Sequence, residues 1–157
     1  MKKTNAARIL DRAKIKYEIV DYDVDPEELG ARRVAEKTGQ DIRHIYKTLV
    51  LRGDKTGVIV ACIPGAAELN LKAIAQLSGN KKCAMVHMKE IQELTGYIRG
   101  GCSPLGMKKN YPVFLDESAS SLDYIYVSAG MRGKQIVVNP LDMARIVQAT
   151  LGILSTL

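Results

Sequence analysis

One run of seven residues, Gly100-Gly101-Cys102-Ser103-Pro104-Leu105-Gly106, restricts the fold more than any other part of this 157-residue chain. Three glycines and a proline in seven positions pin a backbone that is neither helix nor strand. Pro104 fixes its own φ and pushes Ser103 toward an extended conformation. The paired glycines let another molecule approach the backbone closely. A loop of this kind can aim several N–H groups and one hydroxyl at a single point, an arrangement suited to an oxygen-rich group or a developing oxyanion. The competing reading is a long structural turn. Restriction over seven residues, followed at once by Lys108-Lys109, favours the binding loop.

Such a loop needs a scaffold, and the chain is long enough to bury a core as one domain over residues 1–157. Apolar residues make up 46% and charged residues 25%, with one Phe and no Trp, so the core must come from Leu, Ile, Val, Ala and Met. A formal charge of +6 favours polyanionic partners without proving nucleic-acid binding. Cys62, Cys83 and Cys102 are odd in number and lack CxxC spacing, which argues against a disulfide framework or a zinc site and for a reducing compartment. The N-terminus reaches Arg8 and Asp11 too soon for a signal-peptide core, and no apolar run approaches the ~18 residues a membrane helix needs. The expected location is the cytoplasm, with no membrane partner.

The pattern of apolar residues predicts a mixed α+β domain. Ala6, Ile9, Leu10 and Ala13 fall at helical spacing behind Thr4, a fitting N-cap. Tyr17 to Tyr22 reads as a strand and Pro26 to Lys37 as a helix. Ile45–Arg52 and Gly57–Ile63 form a hairpin across Gly53-Asp54-Lys55-Thr56. Asn70 caps a helix with Leu71, Ile74 and Ala75 inward, ended by Gly79. A strand at Ala84–Val86 precedes a helix carrying Ile91 and Leu94. Strands near Val113–Leu115, Tyr124–Ser128 and Gln135–Val138 follow, then a last helix opened by Asn139 and Pro140. Neither GxGxxG nor a Walker lysine loop is present, which removes the nicotinamide and ATP enzymes of those types.

Few residues invite chemistry. Alternation in Ile45-Tyr46-Lys47-Thr48-Leu49-Val50-Leu51 places Lys47 on a face with Ile45, Leu49 and Leu51. A lysine there either lines a pocket, holding a carbonyl or phosphate oxygen, or snorkels to water from a strand end. The run Tyr126-Val127-Ser128-Ala129-Gly130-Met131-Arg132-Gly133 takes a strand into a turn bearing a hydroxyl and an arginine that can clamp an oxyanion. Taken alone it reads as a hairpin turn. Cys102 reads as a small buried hydrophobe before it reads as a nucleophile, and His44 and His87 have no motif around them.

Together, Tyr46-Lys47-Thr48-Leu49, the Gly100–Gly106 loop with Lys108-Lys109, and Tyr126-Val127-Ser128 through Arg132-Gly133 resemble the YbaK/EbsC family of aminoacyl-tRNA deacylases, relatives of the editing domain of bacterial prolyl-tRNA synthetases. The likeness spans nearly the whole chain and leans to the YbaK branch. It implies a compact mixed, largely antiparallel, barrel-like sheet wrapped by helices. It implies hydrolysis of mischarged tRNA, cysteinyl-tRNA(Pro) foremost and cysteinyl-tRNA(Cys) with it. The substrate's own thiol would attack its ester, without metal or cofactor. Lys47, Gly101 and Ser103 would be catalytic. Tyr22, Gly100, Cys102, Pro104, Gly106, Ser128, Gly130 and Arg132 would bind substrate. Cys102 stands where the branch more often has Ile, and Ala129 and Met131 where it has Gly and Lys. Ala129 would narrow the pocket or stiffen the turn, so alanine or another small residue is the competing substrate.

The tRNA acceptor end would be gripped weakly by Lys81-Lys82, Lys108-Lys109 and Arg32-Arg33, with prolyl-tRNA synthetase as a partner in selection. No aromatic platform for stacked bases is evident in the sequence, which argues against base-specific reading. The second hypothesis is a non-catalytic module that binds an aminoacyl end or a synthetase; the retained Lys47 and intact loop count against it.

Overall fold

The computed structural model describes residues 3–22, 35 and 38–156. At its centre lies the predicted hairpin. Strands β2 (Tyr46–Gly53) and β3 (Gly57–Pro64) pair antiparallel from Tyr46↔Pro64 to Gly53↔Gly57. Their turn is closed from outside by Asn80, whose Oδ1 accepts the N–H groups of Lys55 and Thr56. A side chain at Gly53 would collide with the Asn80 amide, so the glycine is what admits this buried plug.

Around the hairpin, β5 (Cys83–Met85), β6 (Val113–Asp116) and β9 (Thr150–Gly152) complete a five-stranded sheet in the order β5-β2-β3-β6-β9. The β3–β6 and β6–β9 ladders are parallel and the others antiparallel. A second, antiparallel sheet runs β1-β8-β7, from β1 (Tyr17–Asp21), β8 (Lys134–Val138) and β7 (Ile125–Ser128). A two-stranded piece pairs β10 (Ser155–Thr156) with β4 (Glu68–Leu69). The two larger sheets meet at one parallel bridge, Ile45↔Tyr126.

The expected barrel-like closure is therefore corrected to an open mixed α/β arrangement. Closing the sheet would require β7 to continue along β2, and the described strands part after that bridge.

Alternation divides the hairpin between two cores. Tyr46, Val60 and Cys62 pack with Leu10, Leu105, Ile125, Val127, Ile136 and Met143. Leu51, Ile59, Ala61 and Ile63 pack with Ile74, Phe114 and Leu154. Burial on both faces explains why Val58 to Ile63 is apolar without alternation.

Helices sit where caps predict them. In α1 (Asn5–Arg12) the Thr4 hydroxyl accepts the Ala7 N–H, and Ala6, Ala7 and Leu10 are buried. In α2 (Leu71–Ser78) the Asn70 side chain accepts the Ala73 N–H. Ile74 and Ala75 face inward there, whereas Leu71, expected inside, is exposed. α3 (Ile91–Thr95) is a short helix closed by Gly96, and α4 (Pro140–Val147) is capped by Asn139. Of the predicted Pro26–Lys37 helix, Ala35 is described and is helical, and the rest lies outside the described residues. Among the described residues no helix is long and apolar enough to cross a membrane.

The sequence pattern missed β4, β9 and β10, because the C-terminal strands depend on a distant carboxylate. Buried Asp116 accepts the N–H groups of Leu154 and Ser155 on Oδ1 and the Ser118 hydroxyl on Oδ2. Burial by itself would raise the Asp116 pKa, but these hydrogen bonds win and hold it below the ordinary value of 3.8. Its stabilising contribution is thus complete above the unfolded value and is lost as pH falls through the lower folded value. Asp116→Ala should lower unfolding free energy by about 3 kcal/mol, since two buried amides lose their acceptor. Urea denaturation at pH 7 checks this, and the deficit between wild type and variant should shrink toward pH 2.

Candidate active site

The turn after β7 joins the parts of the site. Ser128 Oγ accepts the Gly130 N–H at 3.1 Å, and the Ala129 N–H donates to the Lys134 carbonyl at 3.0 Å. Gly130 has φ 104°, and a Cβ there would stand 2.8 Å from Tyr97 Cε1. That close approach matters because Tyr97 also holds the glycine loop. Its hydroxyl lies 2.7 Å from the Leu105 carbonyl oxygen and 3.2 Å from that of Gly106. Burial pushes the Tyr97 pKa up to about 12, with Cys102 adding to the shift, so the hydroxyl keeps its proton and donates. From the other side Arg132 Nε donates to the Arg99 carbonyl at 2.8 Å. A Cβ on Gly101 would lie 3.1 Å from Met131 Cα and Arg132 N. The Gly100–Gly106 loop and the Ser128–Arg132 turn therefore form one packed unit.

Lys47 enters through strand register. Ile45 and Tyr126 face each other in the parallel bridge, so Lys47 and Ser128, two residues on, share the same face at the point where β2 and β7 part. Ser128 in turn pairs with Gln135 across β7–β8, and Gln135 with Val20 across β8–β1. Ile136 and Val138 belong to the core on the opposite face, which leaves Gln135 beside Ser128. A polar row Gln135–Ser128–Lys47 thus crosses the seam between the sheets. Lys47 is half-buried and makes no salt bridge among the described residues. Loss of water lowers its pKa from 10.5, and the nearby Glu68 carboxylate only partly offsets this. Gln135 Oε1 is buried and has no hydrogen-bond partner among the described residues.

Other expected residues fall differently. Tyr22 is half-buried, and its N–H donates to the Gly133 carbonyl at 2.9 Å, beside the same turn. Gly100 is exposed at the mouth of the loop, whereas Pro104 is buried. Ser103 is fully buried, and its Oγ accepts the Leu105 N–H at 3.3 Å. The Cys102 thiol lies toward Thr95, which hydrogen-bonds it, and burial raises its pKa to about 11. Cys62 is pushed up to about 12 by burial. Neither thiol supplies a thiolate near neutral pH. Ala129 is fully buried in the core, on the face away from Lys47, so it stiffens the turn rather than narrowing a pocket. Met131 is exposed.

The Lys81-Lys82 amides donate to Asp54 at the far end of the hairpin, seven residues and about 23 Å along the strand direction from Lys47. Lys108 and Lys109 are exposed just after the loop, and Arg32-Arg33 lies outside the described residues. Among the described residues no group of His, Cys, Asp and Glu is placed to hold a metal ion.

Sequence reasoning missed Tyr97, Gln135 and an aromatic cluster. His44 and Tyr124 stack with ring centroids 4.3 Å apart, and Tyr126 meets Tyr124 edge-on at 5.7 Å. The fold thus brings together rings that the sequence leaves scattered. His44 and Tyr124 are 80 residues apart, and no local motif announces them.

With this geometry, comparison with known proteins is informative. The aminoacyl-tRNA editing domain family matches residues 25–146. A protein of Enterococcus faecalis named "Putative Cys-tRNA(Pro)/Cys-tRNA(Cys) deacylase EbsC" is 49% identical over 138 residues, 88% of this chain and 84% of that one. The solved structure of "hypothetical protein APE2540" has a TM-score of 0.88 at 21% identity, covering 98% of this chain and all of that one. A structure described as a "putative trans-editing enzyme for prolyl tRNA synthetase" has a TM-score of 0.82 at 23% identity, covering 99% of both chains. These two likenesses show the fold. The chain belongs to the aminoacyl-tRNA editing domain family.

Because Tyr97 ties the loop to the turn, Tyr97→Phe should keep the ring contact with Gly130 and release Leu105 and Gly106. Hydrogen exchange at residues 101–106 should quicken, with a stability loss of about 1–2 kcal/mol. Unchanged protection of those amides would show that the loop is held by something else.

Proposed function

We propose that this chain, acting as one editing domain over residues 1–157, is a free-standing trans-editing hydrolase in the cytoplasm. It cleaves the ester of mischarged tRNA, cysteinyl-tRNA(Pro) foremost and cysteinyl-tRNA(Cys) with it. The observation that carries this is the half-buried ammonium of Lys47, which makes no salt bridge among the described residues, in line with Ser128 and beside a loop clamped to the same turn. Membership of the editing family supports the reaction class, and the printed name of the Enterococcus relative supports the substrate.

In this reading Lys47 holds an oxygen of the acceptor end, so that binding energy orients the aminoacyl group. Gly101, whose own N–H donates to the Ile98 carbonyl at 3.0 Å, keeps the loop pressed against the Met131–Arg132 backbone, and the loop's backbone dipoles stabilise the carbonyl oxygen as it gains charge. Ser103 shapes the loop from inside. The substrate cysteine thiol attacks its own ester carbon: a C–S bond forms, the C–O bond to ribose breaks, and the thiol proton ends on the ribose oxygen. The resulting thioester ring then takes up water to give free cysteine. The Cys62 and Cys102 thiols, whose pKa values are raised, fit a site that supplies no nucleophile of its own. Prolyl-tRNA synthetase is the proposed partner in tRNA selection, testable by co-elution with the synthetase and tRNA.

The test is Lys47→Ala assayed on purified cysteinyl-tRNA(Pro). Turnover should fall by roughly 10²–10³-fold. Burial lowers the Lys47 pKa, so the charged form costs stability in the fold. Melting temperature should accordingly stay level or rise. Wild-type activity should decline with rising pH before a free lysine would titrate at 10.5. A fall in melting temperature that tracks the loss of activity would make Lys47 structural instead.

A further inference from the structure

The sheet face carrying Ser128 and Gln135 does not end at that row. Two residues away along each strand, at about 7 Å, lies a second row: Glu18 on β1, Val137 on β8, Tyr126 on β7 and then Ile45. Glu18, Val137 and Tyr126 line an open cavity of about 610 Å³, together with Val20, Lys16 and Tyr124. Val20 is the cross-strand partner of Gln135, so the cavity abuts the row that carries Lys47.

Its aromatic wall is held rigid. His44 and Tyr124 stack within 12° of parallel, and Tyr126 stands at 89° to Tyr124. His44 Nδ1 lies 2.8 Å from the Tyr124 carbonyl oxygen, so this nitrogen carries the hydrogen and fixes the ring. Tyr124 is nevertheless 40% exposed. Pre-ordered rings left open to water lose little freedom when a flat ligand covers them. Lys16 and Glu18 balance each other in charge here, so the wall selects for a π-face rather than for a phosphate.

We propose that the surface of His44, Tyr124 and Tyr126 holds the nucleobases of the single-stranded end that carries the ester. This rests on reading the Lys47 row as the deacylation site. A chain laid with its ester at Lys47 and Ser128 brings its terminal nucleotide over Tyr126 and the preceding one toward Tyr124 and His44. Stacking of this kind is tolerant of base identity and adds affinity without a large basic patch. The cavity lies too close to the reacting row to be a separate site, and it is too small to seat a folded protein partner.

The probe is the trinucleotide CCA without an amino acid, titrated into the full chain and followed by NMR. With no Trp, one Phe, seven Tyr and two His, the ring signals can be assigned individually. Signals of Tyr124, Tyr126 and His44 should shift. Tyr124→Ala should weaken binding about tenfold and raise KM for aminoacyl-tRNA with kcat retained, whereas Tyr124→Trp should restore both. Shifts confined to other residues, or no binding by the folded protein, overturn the proposal. So does an unchanged KM in Tyr124→Ala while the ester is still cleaved, a result that leaves the deacylase reading standing. CCA binding on these rings in a protein that cleaves no ester supports the nucleotide face and removes the deacylase reading.

Discussion

The parallel bridge between Ile45 and Tyr126 is the point on which the arrangement of this molecule turns. It joins a five-stranded sheet to a three-stranded one and sets the register between them. Because side chains alternate along a strand, that register puts Lys47, Ser128 and Gln135 on one face and leaves Tyr46, Cys62 and Val127 to the core. Past the bridge the strands separate, and the opening is where a substrate can enter. A slip of one residue there would send Lys47 into the core and Thr48 into the site.

The loop answers a different constraint. Its amides must stand beside the same opening without collapsing into it, and Tyr97 and Arg132 hold it from two sides. Gly101, Ser103, Pro104 and Leu105 are buried and anchor the loop, which leaves Gly100 at its exposed end. The site then combines one poorly hydrated cation, a hydroxyl, an unpartnered amide oxygen and backbone donors. None of these is a strong nucleophile. Such a set suits a reaction in which the substrate brings its own thiol and the protein holds the ester still.

Much of this was legible in the chain. The Gly53–Thr56 turn and the caps at Thr4, Asn70 and Asn139 are written in local pattern, and the structure carries each of them. What escaped depends on partners far away in sequence. Strands β9 and β10 depend on the Asp116 carboxylate, and Leu71 is exposed despite its helical spacing. The barrel expectation failed because closure depends on how far two strands 80 residues apart continue to pair. Tyr97 shows no signal, being one tyrosine in a short helix–loop segment, yet it clamps the loop. Gln135 looks like a surface residue in a strand until its neighbours are seen to be core. The Lys81-Lys82 pair sits at the hairpin turn, at the far end of β2 from Lys47, a placement set by the Asp54 carboxylate and not by any local pattern.

The most direct measurement is hydrolysis of purified cysteinyl-tRNA(Pro), alanyl-tRNA(Pro) and prolyl-tRNA(Pro) side by side at physiological salt. The account requires rapid loss of the cysteinyl ester while the other two persist. Rapid loss of the alanyl ester would contradict the thiol-assisted route and call for an activated water. Survival of all three esters in the presence of folded protein would contradict the editing activity itself.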